Sequence, residues 1–160
     1  MTEPDDRRVP GSTLLDVVRV MYRLRSPGGC PWDAQQTHES LASYLLEEAY
    51  ETLDAIEDGD SDALREELGD VLLQVVFHAR MAEEQGAFAF GDVVEAITRK
   101  MIRRHPHVFA DSSGRLTPAD VKGAWDRIKG EEKAERGSME NAAPQRVDYR
   151  NTCVHDCASL

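Results

Sequence analysis

Four carboxylates set in two pairs, Glu48 with Glu51 and Glu67 with Asp70, have the types and spacing in this chain best suited to chemistry. Each pair is spaced i, i+3, and residues three apart share a helical face, so each pair aims two oxygen ligands in one direction. Asp70 also lies in an apolar run with Leu68, Val71, Leu72, Leu73, Val75, Val76 and Phe77. A carboxylate beside apolar surface is costly to desolvate unless positive charge sits against it. Two such helices side by side would gather mutually repelling acids. A hard divalent cation such as Mg²⁺ prefers oxygen ligands, relieves that repulsion and then recruits phosphate. Against this stands the ordinary reading: with 30 acidic residues in 160, some i, i+3 pairs arise by chance on solvated helix faces.

The elements that must position these acids decide between the two readings. Leu41, Leu45, Ala49, Leu53 and Ile56 form an apolar stripe at helical period, predicting a helix capped by Asp33 or Thr37 and running to about Glu57. Asp58-Gly-Asp-Ser61 reads as a turn, with Asp60 or Ser61 capping a further helix that reaches about Gln85 and closes at Gly86. A turn this short makes the two helices antiparallel neighbours. Glu51 and Glu48 lie 8 and 11 residues before Gly59, and Glu67 and Asp70 lie 8 and 11 after it. At about 1.5 Å rise per residue, the two pairs reach similar heights on adjacent helices. The spacing therefore favours a metal site.

Other helices complete an all-α fold, with no strand signal. Leu14, Leu15, Val18, Met21, Tyr22 and Leu24 form a first amphipathic stretch, broken by Ser26-Pro-Gly-Gly29, and a loop follows through Asp33. A helix from about Asp92 ends at Arg104 before Pro106, and its last turn holds Arg99, Lys100, Arg103 and Arg104. Cations commonly complement a helix C-terminus, yet Lys100 and Arg104 share a face in an acidic protein and are suited to polyphosphate oxygens. The last helix starts at Thr117-Pro118 and reaches about Arg136, with Trp125, Ile128 and Lys129 on related faces. Trp125 reads first as a core anchor. The expected architecture is a bundle of four to five helices, with residues 1–11 flexible, 12–136 one domain and 137–160 a tail. The apolar breadth of the helix holding Leu72, Leu73, Val75, Val76 and Phe77 favours burial against a second copy.

Composition excludes several classes. A chain of 160 residues suffices for one domain with a core. Its net charge of −11 argues against a nucleic-acid polymer as partner, since phosphate backbones require excess Lys and Arg. No apolar run approaches the roughly 20 residues that span a bilayer. The charged stretch Met1 to Pro10 lacks an apolar signal core, giving a cytoplasmic reading. Cys30, Cys153 and Cys157 form no disulfide framework, and Cys153-Val-His155-Asp-Cys157 lacks the fourth ligand that a zinc site requires.

Several strings together resemble the MazG family of nucleoside triphosphate pyrophosphohydrolases, within the all-α NTP pyrophosphatase superfamily. They are Gly29-Cys-Pro-Trp-Asp33 with Gln36-Thr-His38, Tyr44-Leu-Leu-Glu-Glu-Ala-Tyr-Glu51, Arg65-Glu-Glu-Leu-Gly-Asp70 and Leu73-Gln-Val-Val-Phe77. Lys100-Met-Ile-Arg-Arg-His-Pro-His-Val-Phe109 and Trp125-Asp-Arg-Ile-Lys129 extend the likeness over about residues 12 to 136. The resemblance implies Mg²⁺, with Mn²⁺ as a substitute, held by Glu48, Glu51, Glu67 and Asp70. It implies triphosphate contacts from Lys100, Arg103, Arg104 and Lys129, and places Trp125 and Tyr44 near the nucleotide. Glu47 joins the acidic cluster as a ligand or base. The implied catalytic set is Glu47, Glu48, Lys100 and Arg104. The implied reaction is hydrolysis of an NTP or dNTP to monophosphate and pyrophosphate in nucleotide-pool house-cleaning, by a homodimer or dimer of dimers. The alternatives are a narrower hydrolase of dUTP, dCTP or phosphoribosyl-ATP, and a non-catalytic acidic docking module. The motif set occurs once, whereas many family members carry it in tandem.

Overall fold

A computed structural model describes residues 13–110 and 116–140, the last five of these as backbone alone. The expected flexible start and the Cys153–Cys157 tail lie outside the described residues. Among those described there are helices and no strand: α1 (Leu14–Arg25), α2 (Pro31–Gln35), α3 (Ala42–Asp58), α4 (Ser61–Glu84), α5 (Phe90–Arg104), α6 (Pro106–Phe109) and α7 (Pro118–Glu140). Five are long, and α2 and α6 are single turns set where the sequence suggested loops. The contacts gather in two compact units that divide inside α5, between Val93 and Val94.

The first unit is built on the α3–α4 hairpin. Gly59 takes the left-handed conformation (φ 69°) that ends α3, a geometry costly for residues with a Cβ. Asp60 then caps α4, its side chain accepting from the backbone N–H groups of Asp62 and Ala63 at 2.9 and 3.1 Å. A two-residue connection of this kind forces the helices antiparallel. Helix α1 packs on α4, burying Met21 with Leu41, Val76, Phe77 and Met81. Val17, Val18, Leu24, Leu72, Leu73 and Phe90 complete this core from its edge.

Arg25 ties three elements of this unit together. Its Nε donates to Glu84 at 3.0 Å and its Nη2 at 2.8 Å, joining α1 to the end of α4. Its Nη1 donates to the backbone carbonyls of Asp33 and Gln36, holding the middle and the C-terminal end of the α2 segment. Gly29 lies so close to the carbonyl oxygens of Arg23 and Leu24 that a Cβ there would collide with both. Helix α3 starts at Ala42, later than Asp33 or Thr37 would place it. Residues 36–41 instead form a turn in which Ser40 and Thr37 exchange side-chain-to-backbone bonds at 2.9 and 3.2 Å.

In the second unit, the C-terminal part of α5 leads through His105 into the turn of α6, and α7 continues past the expected end at Arg136 to Glu140. Arg103 and Arg104 of α5 both pair with Glu132 of α7. Trp125 of α7 meets the His105 ring edge-on, with centroids 5.1 Å apart.

Candidate metal and phosphate sites

Glu48 lies on α3, and Glu67 and Asp70 lie on α4. One carboxylate oxygen of each falls within 4.8 Å of the others. Helix periodicity explains the pairing along each helix, and the hairpin turn explains the match between helices. The electrostatics carry the same register. Burial raises the Glu48 carboxyl above the ordinary carboxylate value, with Asp70 the foremost neighbouring charge and Glu51, Glu47 and Glu67 adding to it. Burial likewise raises Glu67, with Glu51 foremost and Asp70 and Glu66 behind. Glu48 thus faces Asp70 and Glu67 faces Glu51, as antiparallel helices equidistant from a turn require.

No Lys, Arg or His forms an ion pair with Glu48, Glu67 or Asp70 among the described residues. Three convergent oxygen donors without a basic partner fit a hard divalent cation. Glu51 is drawn into the field of this cluster but lies outside the convergent set of three. Asp70 is exposed, so the apolar neighbours in its sequence do not bury it, and Leu68 beside it is exposed too. Glu47 is an exposed carboxylate whose charge reaches Glu48. Tyr44, on the same helix, is also exposed and contacts the edge of Trp32, with ring centroids 6.3 Å apart.

The basic residues of the second unit form a cluster around an acid. Glu132 is buried, its two oxygens divided between two guanidiniums. Oε1 accepts from Arg103 Nε at 2.8 Å, and Oε2 accepts from Arg104 Nε at 3.2 Å and from its Nη2 at 2.5 Å. The Arg104 bond holds the Glu132 carboxyl down at about 2, with Arg103 adding to the effect. Arg104 is itself buried and lies against the face of Trp125, its guanidinium carbon 5.7 Å from the ring centroid. Trp125 therefore braces a cation here. Lys100 is half-buried and Lys129 exposed, and neither has an acidic partner among the described residues.

Sequence spacing does not single out Glu132, which lies 28 residues beyond Arg104. Its one local signal is position: three after Lys129 and seven after Trp125, it shares their side of α7. A histidine pair is likewise invisible in the sequence. The Nδ1 atoms of His38 and His78 approach to 2.8 Å, with the rings stacked at 5.1 Å. One of the two must donate and the other accept. Burial lowers the pKa of His78, and the charge of His38 lowers it further.

The site and its scaffold have relatives. Residues 36–109, which hold all four hairpin acids, Lys100 and both arginines, match the MazG nucleotide pyrophosphohydrolase domain. A nucleoside triphosphate pyrophosphohydrolase/pyrophosphatase MazG from Thermotoga maritima is 52% identical over 128 residues, 80% of this chain and 48% of that protein. A nucleoside triphosphate pyrophosphohydrolase from Escherichia coli is 54% identical over 121 residues, 75% of this chain and 46% of its own length. One from Mycobacterium tuberculosis is 46% identical over 138 residues, covering 85% of this chain and 41% of the relative. The chain thus spans about half the length of the relatives it matches. The crystal structure of a mazG-related protein from Thermotoga maritima shares the fold, with a TM-score of 0.58 at 24% identity over 73% of this chain and 96% of that one. The acid-bearing hairpin, the helical scaffold and sequence identity near one half lead to the same place: over residues 36–109 the chain carries a MazG nucleotide pyrophosphohydrolase domain.

Proposed function

We propose that the chain is a divalent-cation-dependent nucleoside triphosphate pyrophosphohydrolase, converting an NTP or dNTP and water to the monophosphate and pyrophosphate. The observation that carries this reading is the set of three carboxylate oxygens within 4.8 Å, from Glu48, Glu67 and Asp70. With Glu51 beside them, these residues would hold the cation, Mg²⁺ in the cell with Mn²⁺ able to replace it. A cation of this kind neutralises phosphate oxygens and makes a nearby water more acidic.

The chain's own residues then divide the remaining work. Glu47, exposed and outside the triad, orients the attacking water and takes its proton as the water oxygen bonds to the α-phosphorus. The bond from that phosphorus to the bridging oxygen breaks, and pyrophosphate leaves with the electron pair. Lys100 and Arg104, with Arg103 and Lys129, stabilise the charge that builds on the leaving group. Tyr44 and Trp125 are the proposed contacts for the nucleoside. The role is house-cleaning of the nucleotide pool, which places the enzyme in the cytoplasm. The net charge of −11 supports a small phosphate ligand over a nucleic-acid polymer. The protein works as a homodimer or dimer of dimers, supported by exposed Leu45, Tyr50, Leu53 and Ile56 along α3.

The deciding experiment is product analysis with a panel of NTPs and dNTPs that includes dUTP and dCTP, with and without EDTA. Monophosphate plus pyrophosphate, lost on chelation, is the expected result. Diphosphate plus orthophosphate, or no turnover on any member, would overturn the assignment. A solution mass equal to one chain would remove the dimer.

A further inference from the structure

We infer that Glu132 is a positioning residue for the polyphosphate contacts, holding Arg103 and Arg104 side by side with one edge of each guanidinium turned away from it. The inference rests on the reading of Arg103 and Arg104 as phosphate-binding groups. Two adjacent guanidiniums repel each other, and their long side chains have many rotamers to lose on ordering. Glu132 answers both problems with one carboxylate. Arg103 engages Oε1 through Nε and Nη2, and Arg104 engages Oε2 through the same two nitrogens. Each arginine therefore binds the acid by its Nε–Nη2 edge, and each Nη1 has no partner among the described residues.

Burial separates the roles of the two arginines. The Arg104 side chain is 10% exposed and lies against Trp125, whereas that of Arg103 is 59% exposed. Glu132, 5% exposed, sits behind them as an inner anchor. Among the described residues Arg103 and Arg104 share this single acid and Lys100, on the same helix, has no acidic partner, so these three cations keep excess positive charge. An acid serving stability alone would need only one arginine, since a buried ion pair is satisfied by one bidentate partner. Displacement of Glu132 by an incoming phosphate is disfavoured, because it would leave a buried carboxylate unpaired.

The test is binding of inorganic tripolyphosphate to the full chain by titration calorimetry, in EDTA and without nucleotide. Glu132→Gln should weaken binding on the order of tenfold, the equivalent of one charge-assisted hydrogen bond misplaced. Glu132→Asp keeps the charge but is too short to reach both arginines, and should fall between Glu132→Gln and the unaltered chain. Circular dichroism establishes that each variant is folded, and Glu132→Asp decides the matter if Glu132→Gln is not. In turnover, Glu132→Gln should raise KM more than it lowers kcat. Binding by either variant equal to or tighter than that of the unaltered chain would overturn the inference, a gain meaning that Glu132 competes with phosphate. Failure of the unaltered chain to bind tripolyphosphate would overturn it too. Absence of nucleotide hydrolysis alongside the expected binding losses would refute the proposed reaction while leaving this role standing.

Discussion

Removing one ligand acid should stabilise the metal-free protein and destabilise the metal-loaded one relative to the unaltered chain. Glu48→Gln is the cleanest perturbation, because glutamine matches glutamate in shape and nearly in helix propensity. Glu48 and Asp70 present oxygens within 4.8 Å of each other, and no basic side chain pairs with either among the described residues. Two unit charges at about that distance repel by about 0.9 kcal/mol in water, with more where solvent is partly excluded. The other acids around Glu48 act in the same direction, and exposure of Asp70 screens part of the effect. A net gain of about 1 kcal/mol corresponds to a melting temperature about 2–4 °C higher in a chain of this size.

A cation reverses the order. Divalent ion at a hundredfold excess over its Kd stabilises the unaltered chain by about 2.7 kcal/mol through mass action, or about 5–11 °C. Glu48→Gln forfeits most of that. Thermal unfolding followed by circular dichroism, in EDTA and across a Mg²⁺ titration, should therefore give two curves of melting temperature that cross. The pH dependence has a definite sign as well. The Glu48 carboxyl is raised above its ordinary value of 4.5, so its penalty is full when it is ionised and disappears as the pH falls towards 4.5. In EDTA, acidification towards that value should narrow the gap between variant and unaltered chain. Parallel curves with no crossing, or a metal-free variant less stable than the unaltered chain, would refute the claim that these acids form an uncompensated ligand set.

Arg25→Met should cost about 2–3 kcal/mol in urea unfolding, since it strands Glu84 and two carbonyls, although Arg80 remains beside Glu84 at 3.0 Å to soften the loss. A loss below about 1 kcal/mol would show that the link joining α1, α2 and α4 is a surface ion pair of the ordinary weak kind. His78, depressed below its ordinary 6.5, stays neutral in the folded chain while the unfolded chain takes up its proton, so stability should decline as the pH falls through 6.5. His78→Phe should flatten that part of the melting-temperature profile, and an unchanged slope would assign the pH dependence to other groups.

The hairpin was legible because its signals are local. Asp60 reads as an N-cap and serves as one, Gly59 supplies the left-handed residue that a tight turn needs, and Gly86 follows α4 at φ 70°. The acids' register followed by counting from that turn. Their convergence did not, because residues at i and i+3 are about 60° apart around the helix axis and differ in height by about 4.5 Å. Two such pairs can match in height yet bring only three oxygens together, which leaves Glu51 at the margin. Helix α2 escaped the periodicity because five residues starting at Pro31 are too few to show a repeat. Helix α3 begins late because Thr37 and Ser40 bond each other's backbone, a competition that sequence patterns record only weakly. Glu132 and the His38–His78 pair depend on long-range packing, for which a single sequence carries no periodic trace.

What gives the acidic cluster its meaning is the contrast with how the chain treats its other acids. Arg25 and Arg80 converge on Glu84, Arg65 lies between Asp62 and Glu66, and Glu132 receives two arginines. Each of those acids has a base in reach. Glu48, Glu67 and Asp70 are instead brought together by a turn that fixes their register, and burial and neighbouring acids raise the proton affinity of Glu48 and Glu67 with no base among the described residues to relieve them. A lysine one turn away, at exposed Tyr44 of α3 or exposed Glu66 of α4, would reduce that cost at no expense to the core. A fold that needed only the hairpin would gain from such a lysine. A fold that needs an empty oxygen cage for a cation cannot accept one, since the ammonium would compete with the ion for the same oxygens. The instability of the cluster by itself and its capacity to bind a cation are thus the same electrostatic property, and the crossing melting curves measure both.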